Sequence, residues 1–320
     1  MPLIESPFRP AWWLPGPHLQ TLWPTFFRRR PPLALARRRL ETPDGDFLDL
    51  ALARNSDGPL VLLLHGLEGS LHSHYAAGLL ATLESSGFRT AFLHFRGCSG
   101  EPNRLPRSYH SGETGDVDFV VHWLARELAP VDAVIGVSLG GNVLLRWLAE
   151  RGEAAPVRRA VAVSVPFRLA DADRRLRQGF SRIYLRHLLG RLKRSYRKKF
   201  ARMPSPLNVD LDALRTFHDF DEQVTAPLHG FAGADDYYTR ASSRPVLKTI
   251  RTPTLILHAR DDPFMFPDTV PTNVELSPAV TLELSDHGGH AGFVSGPWPW
   301  RAEYWLDQRI VSWLREEARG

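Results

Sequence analysis

Residues 131–148 read VDAVIGVSLGGNVLLRWL, and the organisation of the whole chain can be worked out from them. The first seven form an apolar run of strand length. From position 139 to 151 apolar residues recur at helical spacing. No loop residues separate the two patterns, so strand must pass into helix through Ser138 itself. A serine on so tight a reversal presents its hydroxyl at the tip of the turn. Glycine two places before it and two after, Gly136 and Gly140, removes the side chains that would collide there. The competing reading is a serine that only caps the helix behind it.

The same alternation extends in both directions. Upstream, 37–53 predicts two strands around an Asp44-Gly45 turn. PLVLLLHG at 59–66 predicts a buried strand ending in glycine, 75–86 a helix stopped by Gly87, 90–95 a strand and 113–128 a helix. Downstream, strands are expected at 159–165, 253–258 and 279–284, and an amphipathic helix at about 301–315. The expected fold class is therefore α/β, with a mostly parallel central sheet flanked by helices on both faces. Residues 167–246 interrupt the alternation with mainly helical patterning. An insertion there, after the sixth strand, would sit above the strand ends as a helical cap. The first 36 residues are rich in proline and aromatics, among them Trp12, Trp13 and Trp23. They are expected to form an arm with little regular structure, packed down through its rings, ahead of an α/β domain over 37–320.

Composition narrows the class. Of the 320 residues, 43% are hydrophobic and 23% charged, the balance of an ordinary globular protein. No run approaches the 18 or so uncharged apolar residues of a membrane-spanning helix. The N-terminus MPLIESPFRPAWWLPGPHLQ lacks a basic start followed by an apolar core, so a cytoplasmic location is expected. The single cysteine, Cys98, excludes an internal disulfide and a cysteine-based zinc cage. Net charge is +5, yet residues 174–202 hold twelve Lys/Arg and no Asp/Glu. With those twelve set aside the charge of the chain turns to −7. This is a mildly acidic body carrying one basic block.

A serine hydroxyl is a weak nucleophile until a neighbouring imidazole takes its proton. His290, in DHGGHAGFV after the last predicted strand, is the preferred base, because Gly288 and Gly289 permit an unusual loop path. His287 is its rival. The acid that orients such an imidazole should follow a strand. Asp262, in LILHARDDPF, does so, and Pro263 restricts its backbone to extended geometry. Asp261 is adjacent to it. Asp171 and Asp173 offer an alternative acid at the start of the cap, whereas Asp235, Asp236 and Asp286 read as loop residues. Acyl transfer places negative charge on a carbonyl oxygen, which backbone amides must meet. The expected oxyanion-hole donors are Leu139, directly after the nucleophile, and Leu67, in the loop HGLEGS at 65–70. His65 reads as a structural hydrogen-bonding residue. Nothing calls for a metal or organic cofactor: His72, His74 and His94 form no ligand set with carboxylates at metal spacing.

With these pieces placed, the chain resembles the YheT-like branch of the α/β-hydrolases (family 4 of that superfamily) over nearly its whole length. The residues that carry the resemblance are PAWWLPGPHLQTLWP, HGLEGSLHSHY, FRGCSGEPNR, PRSYHSGETGD, GVSLGGN, HARDDPF and GGHAGF. It implies the α/β-hydrolase fold and a Ser-Asp-His triad at Ser138, Asp262 and His290. It also implies carboxylesterase activity on short or medium acyl chains, with monoacylglycerol lipase activity as a further option. The segment Tyr109–Gly112, YHSG, is characteristic of the resemblance; it precedes a helix and reads either as lining of the pocket mouth or as packing beneath the cap.

Two functional classes follow. One is a serine hydrolase acting on a small-molecule ester. The other is a hydrolase-fold binding protein whose catalysis is lost or incidental. A peptidase or another acyl transfer on the same triad is a variant of the first. Ser138 at the elbow argues against dehalogenases and most epoxide hydrolases of this fold, which place aspartate there. The basic block 174–202 reads first as a cap helix with solvated charges. Peripheral contact with anionic lipid is the second reading. Nucleic acid is the least expected partner, since no recognition motif accompanies the block. The oligomeric state is not legible.

Overall fold

The computed structural model describes residues 2–54 and 57–316. In chain order the elements are β1 (Leu3–Glu5), α1 (Pro17–Phe27), β2 (Leu35–Glu41), β3 (Phe47–Ala53), β4 (Leu60–Leu64), α2 (Ala76–Ser85), β5 (Arg89–His94), α3 (Gly115–Glu127), β6 (Val131–Val137), α4 (Leu139–Arg151) and β7 (Arg159–Val163). Helices alone then follow: α5 (Leu169–Leu176), α6 (Arg182–Phe200), α7 (Phe217–Phe220), α8 (Ala226–His229) and α9 (Ala234–Ala241). The strand pattern resumes with β8 (Thr254–Ala259) and β9 (Val280–Ser285), and α10 (Trp305–Glu316) follows.

Nine strands make one sheet in the order β1-β9-β8-β7-β6-β4-β5-β3-β2. Every neighbouring pair from β1 to β5 is parallel, while β3 runs antiparallel to both β5 and β2. The mostly parallel α/β sheet expected from the alternation is therefore present. Because parallel strands are buried on both faces, their sequences are continuously apolar. Along β4, Leu60, Leu62 and Leu64 join the core under α3 and α4, while Val61 and Leu63 join the core under α2 and α10. The chain places β4 and β5 on one side of β6 and β7 to β9 on the other. That reversal opens a crevice at the C-terminal ends of β4 and β6.

The arm departs from the sequence expectation of little regular structure. Leu3, Ile4 and Glu5 add a parallel strand to the edge of β9, and 17–27 is a helix that opens on Pro17 and contains Pro24. Proline is favoured in a first turn, where its missing N–H costs nothing. Pro24 cannot bond the Gln20 carbonyl, and the backbone of Gly292 lies against that freed oxygen. A Cβ on Gly292 would come 2.2 Å from it. Because β1 is a strand, the one that precedes the helical insertion is the seventh in chain order, not the sixth.

Candidate active site

The crevice is where the strained backbone collects. Among the described residues, five non-glycines have positive φ, between 46° and 55°: Glu68, Ser138, Ser164, Ala291 and Phe293. All five lie just past the C-terminal ends of β4, β6, β7 and β9. Such conformations cost on the order of 1 kcal/mol or more each and persist only where surrounding contacts impose them. Ser138 itself, at φ 55° and ψ −119°, joins β6 to α4 without a loop residue. A Cβ on Gly136 would lie 2.4 Å from the Gly140 carbonyl oxygen, and one on Gly140 would lie 2.5 Å from that of His65. No side chain fits at either position, which is the physical content of the two glycines in the motif.

Three of the residues singled out from sequence come together here. His290 Nε2 lies 3.0 Å from Ser138 Oγ, and His290 Nδ1 lies 2.8 Å from Asp262 Oδ2. Asp262 is fixed further by the Phe264 amide, which donates to its Oδ1 at 2.8 Å. The Phe264 ring stacks on the His290 imidazole, centroids 3.9 Å apart and 1° from parallel. The rival groups go elsewhere. His287 pairs with Asp261 at 3.3 Å and is largely exposed. Asp171 and Asp173 hold Arg174 and Arg177. Asp235 and Asp286 project into solvent near His218 and Arg260, and Asp236 accepts from the Ala232 amide and Arg240.

The loop 65–70 lies directly against the serine: a Cβ on Gly66 would sit 3.2 Å from Ser138 Cβ. His65 is a brace, as its position suggested. Its Nδ1 donates to the Gly66 carbonyl at 2.7 Å and its Nε2 accepts the Phe95 amide at 3.1 Å. Burial pushes its pKa down to about 3, so it stays neutral. Two tyrosine hydroxyls cap the loop. Tyr75 Oη accepts the Gly66 amide at 2.8 Å, and Tyr109 Oη accepts the Glu68 amide at 2.6 Å while donating to Glu68 Oε1 at 3.0 Å. The amide of Leu67 lies between the two that are engaged. Leu139 is the first residue of α4, where a helix has no internal partner for its N–H.

Several supporting residues escaped the sequence reading. The YHSG segment works through Tyr109 on the Glu68 backbone and through Ser111, whose amide donates to Tyr237 Oη at 2.9 Å. Asn142, the last residue of GVSLGGN, donates to the carbonyls of Ser111 and Ala241 and accepts the Ser243 amide. It thereby ties elbow, YHSG segment and cap together. The histidine loop is held by the arm. Thr21 Oγ1 accepts the His290 amide at 2.9 Å, and Gln20 brackets Val294, accepting its amide at 2.7 Å and donating to its carbonyl at 3.1 Å. Ser164 Oγ accepts the Ala291 amide, and His74 Nε2 lies 3.3 Å from the Ala291 carbonyl. The arm motif was visible in sequence; that its polar residues point inward was not.

Ser138, Leu139, Leu67 and His290 open onto a cavity of about 630 Å³ between sheet and helical insertion. Leu188, Leu192, Phe217, Val224 and Leu228 supply much of its apolar wall. Asp221 stands in that wall and accepts hydrogen bonds from Tyr238 and Thr225. Burial pushes its carboxyl up to about 7. Among the described residues, His110, Glu113 and His229 bring possible ligand atoms within 4.8 Å of one another. The set does not suit a cation. Glu113 already holds Arg107. His110 Nδ1 accepts the Gly112 amide, which puts the ring proton on the nitrogen that faces Glu113.

Comparison with known proteins agrees with this architecture. A family model described as the alpha/beta hydrolase fold matches residues 59–297. The chain is 46% identical over 306 residues to "Putative esterase YheT" of Escherichia coli (strain K12), covering 93% of this chain and 89% of that protein. It is 30% identical to Phospholipase ABHD3 of Mus musculus, over 95% of this chain and 77% of that one. Among solved structures, the Pyrococcus furiosus esterase Pf2001 superposes with a TM-score of 0.55 at 19% identity, covering 98% of this chain and 99% of the other. This last likeness is one of fold.

Proposed function

The chain belongs to the α/β-hydrolase family, in its YheT-like branch, and from that premise we propose that it is a serine hydrolase cleaving carboxylic esters. The observation that carries the reading is the continuous line from Ser138 Oγ through the His290 ring to Asp262, at 3.0 and 2.8 Å. It opens on a largely apolar cavity. The names of the relatives point to the same class of bond.

In this reading His290 takes the Ser138 proton as Oγ attacks the ester carbonyl. Asp262 holds the Nδ1–H tautomer and stabilises the imidazolium that forms. The tetrahedral oxyanion accepts hydrogen bonds from the amides of Leu67 and Leu139, which need no reorganisation when the charge develops. His290 returns its proton to the departing alkoxide, leaving an acyl group on Ser138. A water, deprotonated by His290, then releases the acid and regenerates the hydroxyl. The cavity wall of leucine and phenylalanine suits an acyl chain of short to medium length. Monoacylglycerols are tested as one candidate among such esters.

The experiment is active-site labelling with a fluorophosphonate, followed by turnover of p-nitrophenyl esters from acetate to palmitate beside monoacylglycerol. Wild type is expected to label and Ser138→Ala not to, with the highest rates on short and medium chains. Folded wild-type protein that neither labels nor turns over any ester would sink the proposal and favour a binding protein.

A further inference from the structure

Helix α1 is amphipathic in the reverse sense. Its buried residues are Gln20, Thr21 and Pro24, and the two polar ones serve the histidine loop. Its apolar residues Leu19, Phe26 and Phe27 face outward. A surface helix of a globular protein does the opposite. The apolar surface continues beyond the helix on both sides. Trp23 stacks on Phe27 and meets Trp13 edge-on. Exposed Trp12 packs against Trp298 at 5.4 Å, and Trp298 stacks on Trp300, which is 79% exposed. Toward the cap, the His18 ring lies 4.4 Å from exposed Phe180, with exposed Ile183 one turn on. Among the described residues ten large hydrophobic side chains are exposed. Eight of them belong to this face, which is far from the usual scatter of single exposed residues.

The face is built from three segments, 6–40, 174–209 and 287–302, and none contains an Asp or Glu; exposed Glu303, paired across to Ser295, lies just past the last of them. Arg29 and Arg30 follow α1 directly, Arg182 and Arg186 flank Phe180 and Ile183, and Arg301 follows Trp300; all five are exposed. The rest of the basic block is largely engaged. Arg174, Arg177 and Arg197 pair with Asp171, Asp173 and Asp212. Arg191, Lys193, Lys198 and Lys199 donate to backbone carbonyls.

We propose that this face, α1 with Trp12, Trp298, Trp300, Phe180 and Ile183, seats on a bilayer surface rich in anionic phospholipid. Tryptophan, an apolar ring with a polar N–H, enters the headgroup region, and phenylalanine buries its ring at the acyl boundary. The five arginines meet phosphates. The docking surface is thus the arm and the start of α6, rather than the basic segment 174–202 as a whole. The inference goes beyond the catalytic reading and stands without it.

The test is co-sedimentation of the full chain with vesicles of phosphatidylcholine containing 30% phosphatidylglycerol, against vesicles of phosphatidylcholine alone. Binding to the anionic vesicles is expected, with at least about tenfold loss on pure phosphatidylcholine or in 0.5 M salt. Brominated lipid should quench part of the wild-type tryptophan emission. The triple variant Trp12→Ser, Phe26→Ser, Phe27→Ser should lose binding about tenfold and keep fluorophosphonate labelling. Absence of both sedimentation and quenching for wild type would overturn the proposal. So would equal binding to both vesicle types, or a dimer in solution that the triple variant abolishes, since the occupant would then be a second copy. Because quenching is read on wild type, poor folding of the variant leaves the test intact. Loss of labelling in wild type with vesicle binding retained would count against the catalytic reading alone.

Discussion

Replacing Tyr109 by phenylalanine removes one oxygen atom and leaves the ring. The ring keeps its stack on Phe95, centroids 5.4 Å apart. The loss falls on the acceptor of the Glu68 amide at 2.6 Å and the donor to Glu68 Oε1 at 3.0 Å, with the hydroxyl's contact to the Cys98 thiol lost as well. Glu68 is buried and has positive φ, so the orphaned N–H cannot turn to water without moving the loop. A buried donor left unsatisfied costs about 1–3 kcal/mol, which for a chain of this size lowers Tm by roughly 1.5–4.5 °C. The proposed donor Leu67 is the preceding residue. Losing an oxyanion donor outright costs about 10²–10³ in kcat, so a displaced one should cost about 10–100-fold. The change should fall on kcat with KM within about twofold, because the interaction strengthens only in the transition state. Steady-state kinetics on a p-nitrophenyl ester beside thermal unfolding would check this. A variant that melts earlier and turns over at the wild-type rate would show that Tyr109 braces the loop without placing Leu67, and the argument would fail.

Other outcomes follow from the same geometry. His290→Ala should abolish turnover while His287→Ala leaves it nearly intact, since only His290 faces Ser138; equal losses in an ester assay would leave the base unassigned. Asp262→Asn should lower kcat by about three to four powers of ten by favouring the wrong imidazole tautomer, with Asp261→Asn close to wild type. Gln20→Leu strips the partner from the buried N–H of Val294, whose carbonyl keeps the Ala11 amide at 2.9 Å, and should cost about 1–3 kcal/mol in denaturant unfolding. It should also slow turnover, and an unchanged kcat would mean the arm does not position His290. Burial holds His65 at about 3 and both His74 and His258 at about 4. Their folded-state values lie below the ordinary 6.5. Their stabilisation is therefore full above pH 6.5 and is lost as pH falls toward 4, by about 1.4 kcal/mol per histidine per pH unit. Thermal unfolding between pH 8 and 5 should show that decline, and a Tm unchanged down to pH 5 would contradict it.

What the sequence determined by itself is whatever depends on neighbours along the chain. An apolar run of strand length must bury both faces, and helical spacing must bury one. A serine between two glycines at a strand–helix junction admits one backbone path. These local constraints made the parallel α/β sheet and the strand–helix turn at Ser138 legible. Residues far apart in sequence were another matter. Asp261 and Asp262, like His287 and His290, share the same local chemistry. Only the folded loops show that Asp262 and His290 line up on Ser138, while Asp261 turns to the Gly289 amide and to exposed His287. The arm illustrates the same limit. Proline and tryptophan suggested an irregular segment packed through its rings, because nothing local reveals that β9 offers a free edge or that the Val294 amide needs Gln20. Nor could the YHSG motif be interpreted before Tyr109 and Glu68, 41 residues apart, were seen to share a hydrogen bond. Backbone conformation is set by sterics between adjacent residues, whereas hydrogen-bond satisfaction in the interior is settled among groups that only tertiary packing brings together.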